Sequence, residues 1–181
     1  FLENVKIDDI HVMYKVFAQA ERVAAHGKPL YRWVKHGENI SSFIQTNKLK
    51  YIVPCSHMIH SVCRVQEVIE IDKRAYSLGK VQNILIEVNV SGEESKSGIS
   101  INQAQDFIEN AIKYPNIKVC GLMTMAPNTS NTECISSVFS SLRKLRDTLL
   151  LKYPDIKELS MGMSGDYNLA IENGSTMLRI G

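Results

Sequence analysis

In Ile84-Leu85-Ile86-Glu87-Val88-Asn89-Val90 the alternate residues Ile84, Ile86, Val88 and Val90 are apolar, while Leu85, Glu87 and Asn89 share the other side. Successive side chains of a strand point to opposite faces, so one face of this strand meets an apolar layer and the other carries polar groups. A sheet covered by helices on both faces gives strands that are apolar throughout. The strand therefore fits a (β/α) barrel whose polar centre opens toward a ligand better than it fits a doubly wound sheet.

The flanking sequence supplies the rest of an α/β pattern. Upstream, Tyr51 to Val53 and Met58 to Val62 read as strand, and Val65, Val68, Ile69, Ala75 and Tyr76 fit a helix ended by Gly79. Downstream, Ala104, Phe107, Ile108, Ala111 and Ile112 follow the stripe of an amphipathic helix that stops before Pro115. Val119 to Met125 is the next strand. Ile135, Val138, Phe139, Leu142, Leu145 and Leu149 form a second long stripe, ended before Pro154. Leu159 to Met163 and Thr176 to Ile180 close the series as strands, with a short helix over Asp166 to Ile171 between them. Strands alternating with helices through short connections imply parallel pairing. In the last strand Thr176, Leu178 and Ile180 oppose Met177, Arg179 and Gly181, which puts Arg179 on the face shared with Asn89.

The 181 residues contain 44% hydrophobic and 22% charged residues, which excludes a disordered or fibrous chain. Lys plus Arg at 21 against Asp plus Glu at 19 is too balanced for nucleic-acid or membrane binding by charge alone. No apolar run approaches the ~20 residues that span a bilayer. The start, Phe1-Leu2-Glu3-Asn4, does not read as a signal peptide, and its missing Met suggests a trimmed chain. Cys55, Cys63, Cys120 and Cys134 form no CxxC pair, which fits reduced thiols in the cytoplasm. No linker divides the chain, so residues 1–181 are expected to form a single domain.

Three segments carry candidate chemistry. Ser160-Met-Gly-Met-Ser164-Gly165-Asp166 runs from a strand into a helix start, where free amides and Ser164 could hold a phosphate; the plainer reading is an N-cap by Ser164 or Asp166. Arg179 is a cation in an apolar strand and needs an acceptor, which taken alone favours a salt bridge to an inward acid such as Glu87 over a ligand. Gly92-Glu-Glu-Ser-Lys96-Ser-Gly98 lacks the Walker spacing and reads as a solvated loop. Cys55, His57, His60 and Cys63 follow no zinc pattern, so no metal site is expected. No GxSxG, HExxH or GxGxxG occurs.

Several collinear strings resemble the pyridoxal 5'-phosphate homeostasis proteins, also called proline synthase co-transcribed homologues. They are Gln45-Thr-Asn47-Lys48-Leu-Lys50, Ile59-His-Ser-Val62, Ile84 through Gly98, Gly121-Leu-Met-Thr-Met125, Leu159-Ser-Met-Gly-Met-Ser164 and Gly174-Ser-Thr-Met-Leu-Arg179-Ile-Gly181. The match covers residues 45–181. The resemblance implies a (β/α)8 barrel of the alanine racemase N-terminal-domain type that binds pyridoxal phosphate at its C-terminal mouth. It implies cofactor contacts at Asn89, Lys96, Met123, Ser164, Arg179 and Gly181, with Lys96 assisting transfer of the cofactor.

Residues 1–44 depart from the family pattern, in which a Ser-Lys-x-Lys-Pro string supplies the Schiff-base lysine. Here Val23-Ala-Ala-His-Gly-Lys28-Pro29 is compressed, and Lys28 is the candidate attachment point, although alignment on Pro29 matches it to the second lysine of the motif. The N-terminal strands read as compressed or incomplete. The expected function is cytoplasmic vitamin B6 homeostasis: a monomer that holds pyridoxal phosphate as a lysine imine and passes it to apo-enzymes, with no catalytic residues. No second domain is expected to supply a racemase's base. A racemase or decarboxylase completed by another chain, and a degenerate phosphate-binding barrel, remain the alternatives.

Overall fold

The computed structural model describes residues 46–94 and 96–180, and Lys28 and Gly181 lie outside them. Five strands form one parallel sheet: β1 (Met58–Val62), β2 (Gln82–Glu87), β3 (Ile117–Met123), β4 (Glu158–Met163) and β5 (Met177–Arg179). Helix α1 (Thr46–Cys55) precedes them. The crossovers carry α2 (Val65–Ser77), α3 (Ala104–Ala111), α4 (Thr132–Leu150) and α5 (Tyr167–Glu172). Spatial order equals chain order, β1-β2-β3-β4-β5, with every pair parallel. A doubly wound sheet reverses its strand order at a switch point; this one does not. The described residues thus form a half-barrel, the arrangement expected of an incomplete (β/α)8 barrel.

The core between sheet and helices follows from the alternation in β2. Ile84, Ile86 and Val88 join Ile59, Val62, Val119, Leu122, Leu159 and Met161 from the neighbouring strands against Val68, Ile71, Ile108, Phe139 and Leu142 from the helices. Phe139 is fully buried, a placement that contributes about 1.5–3 kcal/mol relative to exposure. Leu85 and Met123 are equally buried but lie outside this cluster, on the opposite face.

Local signals hold the elements in place. In α2, Glu67 Oε2 accepts from the amides of Cys63 at 2.9 Å and Arg64 at 3.1 Å, closing the turn between β1 and α2. Asn131 caps α4 by accepting from the Cys134 amide at 3.1 Å. Gly79, at φ 61, follows α2 where the sequence places its stop.

One element differs from expectation. Tyr51 to Val53 belongs to α1 and is not a strand. Leu49 and Val53, four residues apart, are fully buried while Tyr51 is 59% exposed, which is the period of a helix and not of a strand. The other strands match the expected positions within a few residues, as do the helices.

Candidate functional site

The C-terminal ends of parallel strands are where helices and loops leave room for a ligand. The inner face of the half-barrel brings together His60 from the middle of β1, Glu87 at the end of β2, Met123 at the end of β3 with Thr124 just after it, Ser160 from the middle of β4 and Arg179 at the end of β5. All six are buried. Pairing aligns Glu87 with Met123 and Met123 with Ser160, so one row of side chains crosses the sheet.

Arg179 anchors the row. Its Nη1 donates to Ser160 Oγ at 2.8 Å and its Nη2 to the Thr124 carbonyl at 2.9 Å. These bonds replace the expected pairing with a carboxylate, because Ser160 and the strand-end carbonyl of Thr124 lie within reach of the fork. Burial pushes the guanidinium down to about 10, and Glu87 and Asp166 partly offset this through their negative charge. The fork stays cationic at neutral pH. The Thr124 carbonyl is itself fixed, since the Thr124 hydroxyl donates to the Val88 carbonyl at 2.7 Å and its amide to the Ser160 carbonyl at 3.1 Å. On the far side of Ser160, His60 Nδ1 lies 3.0 Å from Oγ. Burial, then the charge of Arg179, lowers the imidazole to about 4, so it is neutral at neutral pH.

The loop after β2 is partly solvated, with Gly92 and Glu94 exposed and Lys96 half-buried, and it is held in shape by Asn89. Asn89 Nδ2 donates to the Glu93 carbonyl at 2.8 Å and to the Lys96 carbonyl at 3.4 Å. Its Oδ1 accepts from the Gly92 amide at 3.0 Å and the Ser91 hydroxyl at 3.3 Å. The Asn89 side chain is therefore spent on shaping the loop. Lys96 forms an ion pair with Glu93 at 3.1 Å, and its side chain is only 19% exposed. Gly98 closes the loop at φ +114, where a Cβ would stand 2.6 Å from the Asn89 nitrogen. Next to it, burial pushes the Cys63 thiol up to about 12, with Glu67 and Glu87 adding to the rise.

Ser164 and Gly165 are exposed in the turn after β4. Asp166 holds this turn: its Oδ1 accepts from the Met163 amide at 2.5 Å, and its own amide donates to the Met163 carbonyl at 3.1 Å. The carboxylate thus turns back on the strand and does not cap the amides of α5. Of the residues expected from the sequence, Met123 and Arg179 share the inner row, Asn89 and Lys96 share the loop beside it, and Ser164 stands at the end of β4. The inner row also holds Ser160, which the sequence places only at the start of the strand-to-helix segment, His60, which it weighs only as a metal ligand, and Thr124, to which it assigns no role. A signal for Ser160 existed, because it alternates with Leu159 and Met161 as Glu87 alternates with Ile86 and Val88. Cys55, His57, His60 and Cys63 do not converge: His57 Nε2 sits 3.3 Å from Asn83 Nδ2, whereas His60 faces Ser160. Among the described residues no group of three metal-ligating side chains forms.

Comparison with known proteins agrees with this architecture. The chain is 45% identical over 139 residues to the pyridoxal phosphate homeostasis protein of Aquifex aeolicus, covering 76% of this chain and 61% of the relative. It is 37% identical to the protein of that name from Vibrio cholerae, covering 76% of this chain and 58% of the relative. The chain thus spans about three fifths of these curated relatives. The structure of PipY from Synechococcus elongatus with pyridoxal phosphate bound superposes with a TM-score of 0.71 at 26% identity, over 77% of this chain and 65% of PipY. Alanine racemase of Clostridium difficile shares the fold at a TM-score of 0.64 and 16% identity, over 77% of this chain and 37% of the racemase. The family model described as alanine racemase, N-terminal domain, matches residues 16–181, and the chain belongs to that family.

Proposed function

We propose that this chain binds pyridoxal 5'-phosphate at the C-terminal ends of its strands and serves vitamin B6 homeostasis inside the cell, holding the cofactor and handing it to apo-enzymes without turning over a substrate. The observation that carries this reading is Arg179, a buried cation clamped on the inner face at the mouth, with further N–H groups of its fork beyond the two bonded ones. The names of the similar relatives and the ligand of PipY support it.

Among the described residues, Arg179, Ser164, Met123, Asn89 and Lys96 are those that would serve the group. Arg179 would face the pyridine nitrogen as a donor, Ser164 with the turn after it and Gly181 would take the phosphate, and Met123 would border the ring. Asn89 would act through the loop that carries Lys96, and Lys96 would assist release. The bound cofactor supplies an aldehyde that a lysine amine takes up and gives back; Lys28 is the candidate for that amine. A fixed positive charge at Arg179 opposes protonation of the ring nitrogen, and a ring that stays unprotonated is a weak electron sink. That is the physical ground for binding without turnover. Residues 1–181 would form one barrel domain, acting as a monomer.

The test is uptake of pyridoxal phosphate by the full chain, followed by visible absorbance and by mass spectrometry after borohydride. One covalent adduct is expected. Absence of both the band and the adduct refutes the reading, and exchange of a substrate amino acid's α-proton with heavy water at enzyme-like rates refutes the absence of turnover.

A further inference from the structure

We propose that Ser160 and His60 form a positioning relay behind Arg179, in which the Ser160 hydroxyl accepts from Nη1 and donates to Nδ1 of His60, so that the imidazole fixes the direction of the guanidinium. A hydroxyl has one proton and two lone pairs, and a guanidinium only donates. One lone pair of Ser160 Oγ therefore receives Arg179 at 2.8 Å. The remaining contact is His60 Nδ1 at 3.0 Å, and either group could supply its proton.

Burial decides between the two arrangements. Ser160 is 0% exposed, so its proton is away from bulk solvent and needs a partner inside the protein. If Nδ1 carried the proton, Oγ would accept twice, the hydroxyl proton would be stranded, and Nε2 would be a bare buried acceptor. If Nδ1 is bare, the hydroxyl proton goes to it, and Arg179, Ser160 and Nδ1 are all satisfied; only Nε2–H then lacks a partner among the described residues. The second arrangement leaves fewer buried polar groups unpaired. It requires a neutral imidazole, which burial and the nearby guanidinium enforce.

The consequence is directional. With its proton drawn toward His60, Ser160 presents a lone pair to Nη1, while the Thr124 carbonyl takes Nη2. Two acceptors, one on β4 and one just past the end of β3, clamp a planar fork. His60, on β1, thereby acts on a ligand of Arg179 through Ser160.

Two measurements test this. The first needs no ligand: long-range proton–nitrogen correlation of the full chain with isotope-labelled histidine, with His60 assigned by its loss in His60→Asn. A neutral Nε2-protonated ring is expected at neutral pH, and an Nδ1-protonated or cationic ring overturns the relay. The second rests on the binding reading above and uses pyridoxal phosphate itself. Ser160→Ala and His60→Ala should each weaken binding roughly tenfold and shift the bound absorbance band in the direction given by Arg179→Lys. His60→Asn, which keeps an acceptor near Nδ1, should stay within about threefold of the parent. Equal losses in His60→Ala and His60→Asn without a band shift would mean that His60 only fills space, and would overturn the relay. A parent chain that takes up no pyridoxal phosphate would refute the binding reading and leave the tautomer to decide the relay.

Discussion

Replacing Asn89 by Ala should release the loop between Ser91 and Gly98 while the half-barrel stays folded. Four contacts tie the loop to this side chain, two at good distance (2.8 Å to the Glu93 carbonyl, 3.0 Å from the Gly92 amide) and two longer (3.3 Å from the Ser91 hydroxyl, 3.4 Å to the Lys96 carbonyl). At roughly 1 kcal/mol for each well-formed bond and little for the longer ones, the loss is about 2 kcal/mol. The foot of the loop is fixed separately, because the Ile99 amide donates to the Glu87 carbonyl at 2.9 Å and the Asn89 amide to the Ile99 carbonyl at 2.8 Å. Opening can therefore stay local. Trypsin reads it directly at Lys96, whose side chain is 19% exposed in the closed loop. When opening is fast relative to cleavage, the rate tracks the open population, so 2 kcal/mol corresponds to about a 30-fold faster cut after Lys96. Cleavage after Lys152, which is 59% exposed, serves as the internal reference. Asn89→Asp keeps the acceptor for Gly92 and Ser91 but loses the donor to Glu93, and should fall between. An unchanged cleavage rate at Lys96 in Asn89→Ala would refute the loop-holding role; weaker pyridoxal phosphate binding with an unchanged rate would instead support the direct cofactor contact that the family resemblance implies.

Three further outcomes follow from the same geometry. His60 titrates near 6.5 when unfolded and near 4 when folded; the unfolded chain then binds more protons within that window, so stability should fall by roughly 3 kcal/mol as the pH drops through it, and His60→Gln should flatten that stretch of the denaturation profile. Cys63, raised to about 12 by burial, should resist iodoacetamide in the native protein while the exposed Cys55 and Cys134 react, as peptide mapping would show; equal labelling of Cys63 would contradict its placement. Gly98→Ala forces a Cβ to 2.6 Å from the Asn89 nitrogen and 2.9 Å from the Val88 carbonyl carbon at a φ of +114. It should cost about 2–3 kcal/mol in denaturant unfolding, and a neutral effect would argue against this loop closure.

The half-barrel was legible in the sequence because it rests on a local property, the alternation in Ile84 to Val90, which survives folding. Ile84, Ile86 and Val88 went to the helices; Leu85 and Glu87 went inward. The strand reading of Tyr51 to Val53 failed for a related reason. Three apolar or aromatic residues before a proline satisfy a short strand as well as the last turns of a helix, and only the pairing of Leu49 with Val53 separates the two.

The site was half legible, and the missing half depends on irregularities that no periodicity encodes. Between Ile84 and Leu85 the partner on β3 jumps from Val119 to Gly121, so Cys120 is an extra residue. Strict alternation from Val119 would send Met123 to the helix side; the bulge turns it inward, opposite Glu87. A second shift, between Ser160 and Met163, coincides with Gly162 at φ +94, where a Cβ would meet Ala170 at 2.5 Å. It lets Arg179 pair with Met163 while its side chain reaches back to Ser160. An arginine in an apolar strand announces that it needs acceptors. Which acceptors it finds depends on these two shifts, while the group behind Ser160 depends on a third shift, between Ile59 and Val62 around His60, and on the hundred residues that separate His60 from Ser160. Part of the specificity of the inner row thus resides in the places where the strands break their own pattern, and glycine at 162 is one of the residues that permits it.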